Sequence, residues 1–329
     1  MSKEKTLVEI LNKKLESNVI KSAKDFKSSP KKVISISPAH DLGLGGLPQG
    51  SWVTIAGKPK THKTTTCIHI AKKCQAQGMD IYWGNVEARL KERDLKLDGL
   101  DEDKLFVIES TPEKLMTAVD YLNTFEEILK STSNSVLVID SASMLADEKE
   151  IEGGIGTSTR GGGAKYLAQF CRNMAGVVQS RNHIVISILQ LMANTSGYGS
   201  PFQEKGGNSI MYQADIRLMA KESKLEQIDD RVVGAVIKWQ SLASAMNIPP
   251  GQEYYSYVKY GRGIDETSEV INIAESLGLI EKAGAWYKTT VNGEELKFQG
   301  FEKIRSYLDE NSQVLNSLHD NVKDLLRGS

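Results

Sequence analysis

Cysteine is scarce: three residues among 329, Cys67, Cys74 and Cys171, at spacings that fit neither a disulfide framework nor a zinc site. Cys67 and Cys74 lie seven apart in one helical stretch and read as core-facing thiols of a reducing cytosol. No signal peptide and no apolar run of membrane length occurs, which points to a soluble intracellular protein. A charge excess is also missing, since the net charge is −1 and the pI about 6.6. Any nucleic-acid binding must therefore use a local patch, not a global field.

What is present is ordinary globular material, 40% hydrophobic and 25% charged, long enough for one large core and a small appended domain. Residues 1–32 carry nine Lys against four acids, either a solvated amphipathic helix or a DNA contact. Leu7 to Leu15 has helical apolar spacing, and a polar Lys/Ser-rich tether follows to Lys32. A strand at Val33–Ser37 and a Gly/Pro-punctuated loop at Leu42–Gly50 come next. Apolar strands then alternate with helical stretches: Val53–Ala56, Ile81–Gly84, Leu105–Ile108, Val136–Asp140, His183–Leu189 and Ile216–Ala220. That alternation predicts crossover units on a mostly parallel sheet. Val232–Trp239 and Glu253–Tyr260 read as an antiparallel extension. From about Asp265 short helices, a hairpin at Asn292-Gly293 and a helix near Val314–Leu326 predict a small α+β domain.

The most informative stretch joins the strand ending at Gly57 to a helix over Lys63–Gln77. Gly57, Lys58, Pro59, Lys60, Thr61, His62, Lys63, Thr64 and Thr65 follow the phosphate-loop form GxxxxGK[ST], except that His62 replaces the second glycine. In such a loop backbone N–H groups wrap a phosphate, the Lys reaches the β/γ oxygens and the Thr hydroxyl ligates Mg²⁺. The helix N-terminus adds its own N–H groups and dipole. Glycine normally permits a conformation that a side chain resists. The plain alternative is thus a Lys/Thr-rich surface turn.

Parallel α/β sheets present ligands at the C-terminal ends of their strands. Three further strand ends carry suitable groups: Glu87, Asp140 and Gln190. Asp140, at the end of an apolar run, needs a cation or donors and suits a Mg²⁺ partner beside Thr64. Glu87 suits a group that orients or deprotonates an attacking water. Each acid alone also fits a strand-end residue that caps the next helix.

Together these residues carry a resemblance. The chain resembles a RecA-family strand-exchange recombinase, with LGLGGLPQG at 42–50, VIDS at 138–141, EIEGGIG at 150–156, MAG at 174–176, GGN at 206–208 and LIEKAGAWY at 279–287 in the family's order. The resemblance implies a RecA-like P-loop ATPase core with a mostly parallel central sheet, a short N-terminal helical segment and a small α+β C-terminal domain. The expected division is 1–35 for an oligomerisation helix and linker, 36–264 for the core and 265–329 for the C-terminal domain. It implies ATP and Mg²⁺ as cofactors, with Lys63 on phosphate, Thr64 and Asp140 on Mg²⁺, Glu87 as catalytic glutamate and Gln190 as γ-phosphate sensor. Tyr260 matches the residue that stacks on adenine.

Two segments match loops that line a filament axis, about Gly156–Gly163 and about Leu191–Lys205. Arg160, Gly161, Gly162, Lys165 and Arg172 form a mobile cationic hook with a helix face. Gly206, Gly207 and Asn208 open a helix whose free N–H groups suit a DNA phosphate. Tyr198 and Phe202 are the candidates to stack on bases, and the sequence does not choose between them. Aromatics packed on the protein itself remain the alternative.

Several departures stand out. Phage-encoded members of the family also relax the glycine position that His62 fills, so the resemblance there is closer to a phage recombinase. Cellular members present two lysines across the subunit interface; here Lys238 is kept and Gln240 takes the second place, able to hydrogen-bond a phosphate but not to neutralise it. Lys91 and Asp94 stand where an acid and a Tyr are usual near adenine, which puts purine selectivity in question. No long acidic tail follows the last helix, so one autoinhibitory device of cellular relatives is not expected.

The resulting expectation is a DNA-dependent ATPase of the bacterial cytoplasm, or of a phage-infected host. It would assemble head to tail on single-stranded DNA, exchange that strand into homologous duplex DNA, and work with single-strand-binding and loader proteins. A nucleotide- and DNA-binding filament or mediator protein with little hydrolysis is the alternative. A ring-forming motor or small-molecule kinase is a third, which LIEKAGAWY and the interior loops argue against.

Overall fold

The computed structural model describes residues 6–27, 31–153, 162–194, 202–228 and 230–328. The chain divides into two compact units, Met1–Lys32 and Val33–Ser329. In the first, the helix Leu7–Lys14 starts at a capping box in which the Thr6 hydroxyl accepts from the Glu9 N–H and the Glu9 carboxylate accepts from the Thr6 N–H. The Asn12 amide pairs with both backbone groups of Ile20, at 2.8 and 2.9 Å, before a short helix at Ala23–Lys27.

The second unit begins with β1 (Val33–Ile34), which pairs antiparallel with β2 (Leu47–Pro48). Between them lies a helix, Pro38–Leu44, in place of the expected longer strand and open loop. Ser37 caps it by accepting from the His40 N–H, Pro38 opens it, and Gly45 closes it at φ 81°.

The main sheet is built from β3 (Ser51–Gly57), β4 (Asp80–Gly84), β5 (Leu105–Ile108), β6 (Ser135–Ile139), β7 (Ile184–Ala193), β8 (Phe202–Lys205), β9 (Ile216–Ile228), β10 (Arg231–Ala243), β11 (Glu253–Lys259) and β12 (Gly263–Ile264). Its order is β12-β11-β10-β9-β3-β7-β6-β4-β5, with β8 on the outer part of β7. The six strands from β9 to β5 are mutually parallel; β10, β11, β12 and β8 are antiparallel to their neighbours. Every residue of β3 and β6 is buried, which is why both read as mostly apolar runs without alternation.

One face of this sheet packs the helix Lys63–Gln75 through Cys67, Ile68, Ile70 and Cys74. The other packs Ala118–Ser131 and Gly162–Ser180 through Phe125, Leu167 and Phe170. Contact there is close: a methyl group on Gly84 would fall 2.4 Å from the Phe125 ring.

The C-terminal part forms its own small sheet of β13 (Ile280–Ala283), β14 (Trp286–Val291) and β15 (Glu294–Gln299), all antiparallel. Asn292 at φ 53° and Gly293 at φ 83° make the two-residue turn that the sequence pair predicts. The helices Glu266–Ser276, Phe301–Glu310 and Ser312–Gly328 cover it around Ile271, Tyr287, Ile304 and Leu318. Glu269, fully buried, ties this part to the main body by accepting from the Ala39 N–H at 2.9 Å and the Ser256 hydroxyl at 2.7 Å. Among the described residues, no helix is long and apolar enough to cross a membrane.

Candidate nucleotide site and its link to the loop strands

β3 delivers Gly57 to the carboxyl end of the sheet, where there is no room for a side chain. A Cβ on Gly57 would meet Thr61 Oγ1 at 2.7 Å and Ala220 Cβ at 2.9 Å. Beyond it the loop closes on itself. The Thr61 hydroxyl donates to the Lys58 carbonyl at 2.8 Å, and Lys63 Nζ donates to the carbonyls of Gly57 at 3.0 Å and Lys58 at 2.8 Å. His62 adopts φ 58° and ψ 26°, the left-handed conformation for which glycine is the usual choice. The histidine therefore tolerates the geometry that the motif requires, at a cost of about 1–2 kcal/mol. Its ring centroid lies 5.8 Å from that of Tyr260, the planes tilted by 34°.

The other strand ends converge on this loop. A cleft of about 390 Å³ is lined by Pro59 through Thr65 together with Glu87, Arg89, Asp140, Ile188, Gln190 and Tyr260. The Thr64 hydroxyl donates to Asp140 Oδ2 at 2.9 Å. Burial pushes the Asp140 carboxyl up to about 6, with the nearby Glu87 charge adding to the rise and the Thr64 bond opposing it. Burial likewise lowers the Lys63 ammonium, against the pull of Asp140 and Glu87. A cation placed between Thr64 and Asp140 would relieve the buried carboxylate, and phosphate charge would do the same for Lys63. Among the described residues no group of three or more His, Cys, Asp or Glu forms a protein-only metal cage.

Glu87 is held from two sides: Gln190 Nε2 donates to its Oε1 at 3.0 Å, and Arg89 Nη1 lies 2.9 Å from the same oxygen. Asn85, buried at the end of β4, supports that segment by accepting from the N–H groups of Arg89 and Leu90. Arg89 and Asn85 escaped the sequence reading. Arg89 had a usable signal, a cation two residues past a strand-end glutamate.

A second cleft, about 460 Å³, adjoins the first through His62, Thr65 and Tyr260 and is lined also by Arg93, Asp94 and Lys96. It has the place and size for a base. Asp94 accepts from the Lys91 N–H at 2.9 Å.

Lys58 and Phe202 stand apart from the roles expected of them. The Lys58 side chain does not line the phosphate cleft; its ammonium lies 4.5 Å from the Phe202 ring centroid. Phe202 is the first residue of β8, not part of an open loop. The expected loop over Leu191–Lys205 is flanked by a strand pair instead, with Ala193 opposite Phe202 and Gln190 opposite Lys205. Arg160, Gly161 and Tyr198 lie outside the described residues.

The described residues of the two loop segments meet. Gly162 and Gly163 begin the helix Gly162–Ser180, and a Cβ on Gly163 would sit 2.0 Å from the Leu145 carbonyl oxygen. Gly206 and Gly207, at φ 147° and 85°, lead into the helix Asn208–Gln213, and a Cβ on Gly207 would contact Ala164. A pocket of about 320 Å³ lies between the segments, lined by Ser143, Gly162, Ala164, Lys205 and Gly206 among others. Lys165 and Arg172 are both exposed on one helix. Ser143 connects this region to the nucleotide cleft: it accepts from the Gln190 N–H at 2.9 Å and donates to the Lys205 carbonyl. Nothing in the sequence set Ser143 apart.

Lys238 and Gln240 are not brought to the cleft. They lie on β10, two strands from β3, and Lys238 Nζ is 2.7 Å from Glu253.

An open, mostly parallel sheet with a phosphate loop at the end of a central strand and a small antiparallel domain behind it defines a RecA-like P-loop core. The chain belongs to the RecA family. The RecA N-terminal domain matches residues 5–265 and the RecA C-terminal domain residues 268–327. It is 28% identical to Protein RecA of Oleidesulfovibrio alaskensis over 87% of this chain and 79% of that protein. It is 29% identical to Protein RecA of Acholeplasma laidlawii, over 86% of this chain and 83% of the relative. Membership supports a general role in recombination by strand exchange.

Proposed function

We propose that this protein is a DNA-dependent ATPase that assembles head to tail into a helical filament on single-stranded DNA and pairs it with homologous duplex. One observation carries the reading. The Gln190 side chain bonds the Glu87 carboxylate while its backbone N–H reaches, through Ser143, the Lys205 carbonyl just before Gly206 and Gly207. In this reading the group that would sit beside the γ-phosphate is linked to the candidate DNA turn.

In this reading the loop N–H groups and Lys63 bind the phosphates of ATP, and the base lies against Tyr260. Thr64 and Asp140 hold Mg²⁺, which when bound offsets phosphate charge. Glu87 accepts a proton from the attacking water, and Gln190 reports the state of the γ-phosphate. Gly162, Lys165, Arg172, Gly206, Gly207 and Asn208 contact the DNA backbone, together with Arg160 and Gly161. Lys238 and Gln240 act on the nucleotide of a neighbouring protomer, and the heterologous interface propagates an open helix. The working divisions are 1–35, 36–264 and 265–329. The setting is the bacterial cytoplasm, with single-strand-binding and loader proteins as partners and a phage as one source.

The Lys238–Glu253 ion pair and the uncharged Gln240 favour a second reading, a DNA-bound filament that hydrolyses slowly. Phosphate release measured with and without single-stranded DNA tests both. Stimulation of tenfold or more supports the ATPase, DNA binding without stimulation supports the slow filament, and the absence of nucleotide-dependent DNA binding removes both.

A further inference from the structure

We infer that Lys58 and Phe202 are positioning residues that form a second coupling contact between the nucleotide and the DNA loop, separate from Gln190. The inference rests on the function proposed above. Lys58 is held at both of its ends. Its carbonyl accepts from Lys63 Nζ and from the Thr61 hydroxyl, each at 2.8 Å, and its ammonium stands 4.5 Å from the Phe202 ring centroid.

A phosphate in the loop competes with the Gly57 and Lys58 carbonyls for the three N–H groups of Lys63. Any redistribution changes the hold on the Lys58 backbone, and with it the position of the ammonium over the ring. Phe202 does not move alone, because it starts β8. That strand is fixed by the Glu204–Arg217 ion pair at 2.8 Å and by the Gln190–Lys205 pairing, and it ends at Lys205, directly before Gly206. Displacement at one end of a four-residue strand reaches the other. One face of the ring is engaged by a cation of the phosphate loop, which assigns Phe202 to the linkage rather than to base contact. A cation–aromatic contact of this kind changes an equilibrium constant by about two- to thirtyfold.

The test is the coupling ratio, the affinity of the full chain for a labelled oligo(dT) with Mg²⁺ and a slowly hydrolysed ATP analogue divided by the affinity without nucleotide. Lys58→Met and Phe202→Leu should each lower the ratio about fivefold, and the double variant should lower it no further. Lys58→Arg and Phe202→Tyr should restore it, because each keeps the cation or the ring. DNA affinity without nucleotide should be unchanged in all of them. Single effects that multiply in the double variant would overturn the inference, as would a Phe202→Leu loss that is equal with and without nucleotide, the mark of base stacking. A wild-type ratio of one would overturn both this contact and the recombinase reading, whereas a large wild-type ratio with independent variants removes the contact alone.

Discussion

Within the chain, Lys63, Thr64, Glu87, Asp140 and Gln190 reach a common cleft from four parallel strands and are bonded to one another or to the loop. Lys238 and Gln240 stand two strands away on β10, where Lys238 is paired with Glu253 of the adjacent strand. The first group is pre-organised by the fold, because parallel strands end at one level and place their following residues side by side. The second is not, since an alternating strand face fixes direction but leaves partners to chance. In the proposed reading a residue of the cleft acts within its own chain, whereas Lys238 would exchange Glu253 for another anion.

The largest effects should come from the pre-organised half. Lys63→Ala removes a charge-assisted donor from a partly buried loop, and nucleotide affinity measured by calorimetry should fall by at least about a hundredfold, roughly 3 kcal/mol. Affinity within threefold of wild type would end the phosphate-loop assignment. Glu87→Gln keeps the shape of the side chain, so nucleotide and DNA should still bind. Turnover should fall on the order of a hundredfold for a lost base. Retained turnover would reduce Glu87 to a partner of Arg89.

The contrast between the halves also marks what the sequence could disclose. Strands β3, β4, β6 and β7 are legible because they are mostly buried and apolar, and the phosphate loop, Glu87 and Asp140 because they follow those strands closely; Gln190 instead lies inside β7, which runs on to Ala193 past the expected end at Leu189. The helix Pro38–Leu44 was missed, since Gly43 and Gly45 fall where a loop signal is strongest while Ser37 and Pro38 supply the cap. The outer part of β9 was missed because Lys221, Glu222, Ser223 and Lys224 leave the core and carry no apolar alternation. β8 reads as loop for the same reason. Contacts such as Ser143 with Lys205 or Lys58 with Phe202 join residues far apart in sequence, and no local pattern encodes them.

The other half is tested by mixing. If Lys238 acts on a neighbouring nucleotide, an excess of Lys238→Ala protomers should depress wild-type ATPase below the additive value, because each variant spoils a site that is not its own. Glu253→Gln should act in the opposite direction, raising the cooperativity of the ATP response roughly twofold, the modest effect of releasing an exposed ion pair. Additive activity in the mixture together with an unaltered Glu253→Gln response would place both side chains on a solvated strand face.

A similarly small effect should be at His62, where the two halves of the cleft itself, phosphate and base, can be separated. His62→Gly relieves a left-handed conformation but adds freedom to the unfolded chain, and these terms nearly offset each other. Stability should change by less than about 1 kcal/mol, a shift in Tm of at most about 2–4 °C. The ring contact with Tyr260 is lost as well. ATP should therefore bind about threefold more weakly, the scale of one aromatic contact. Pyrophosphate, which has no base, should bind as before. An equal loss for both ligands would show that the imidazole works through the loop backbone and not through the base.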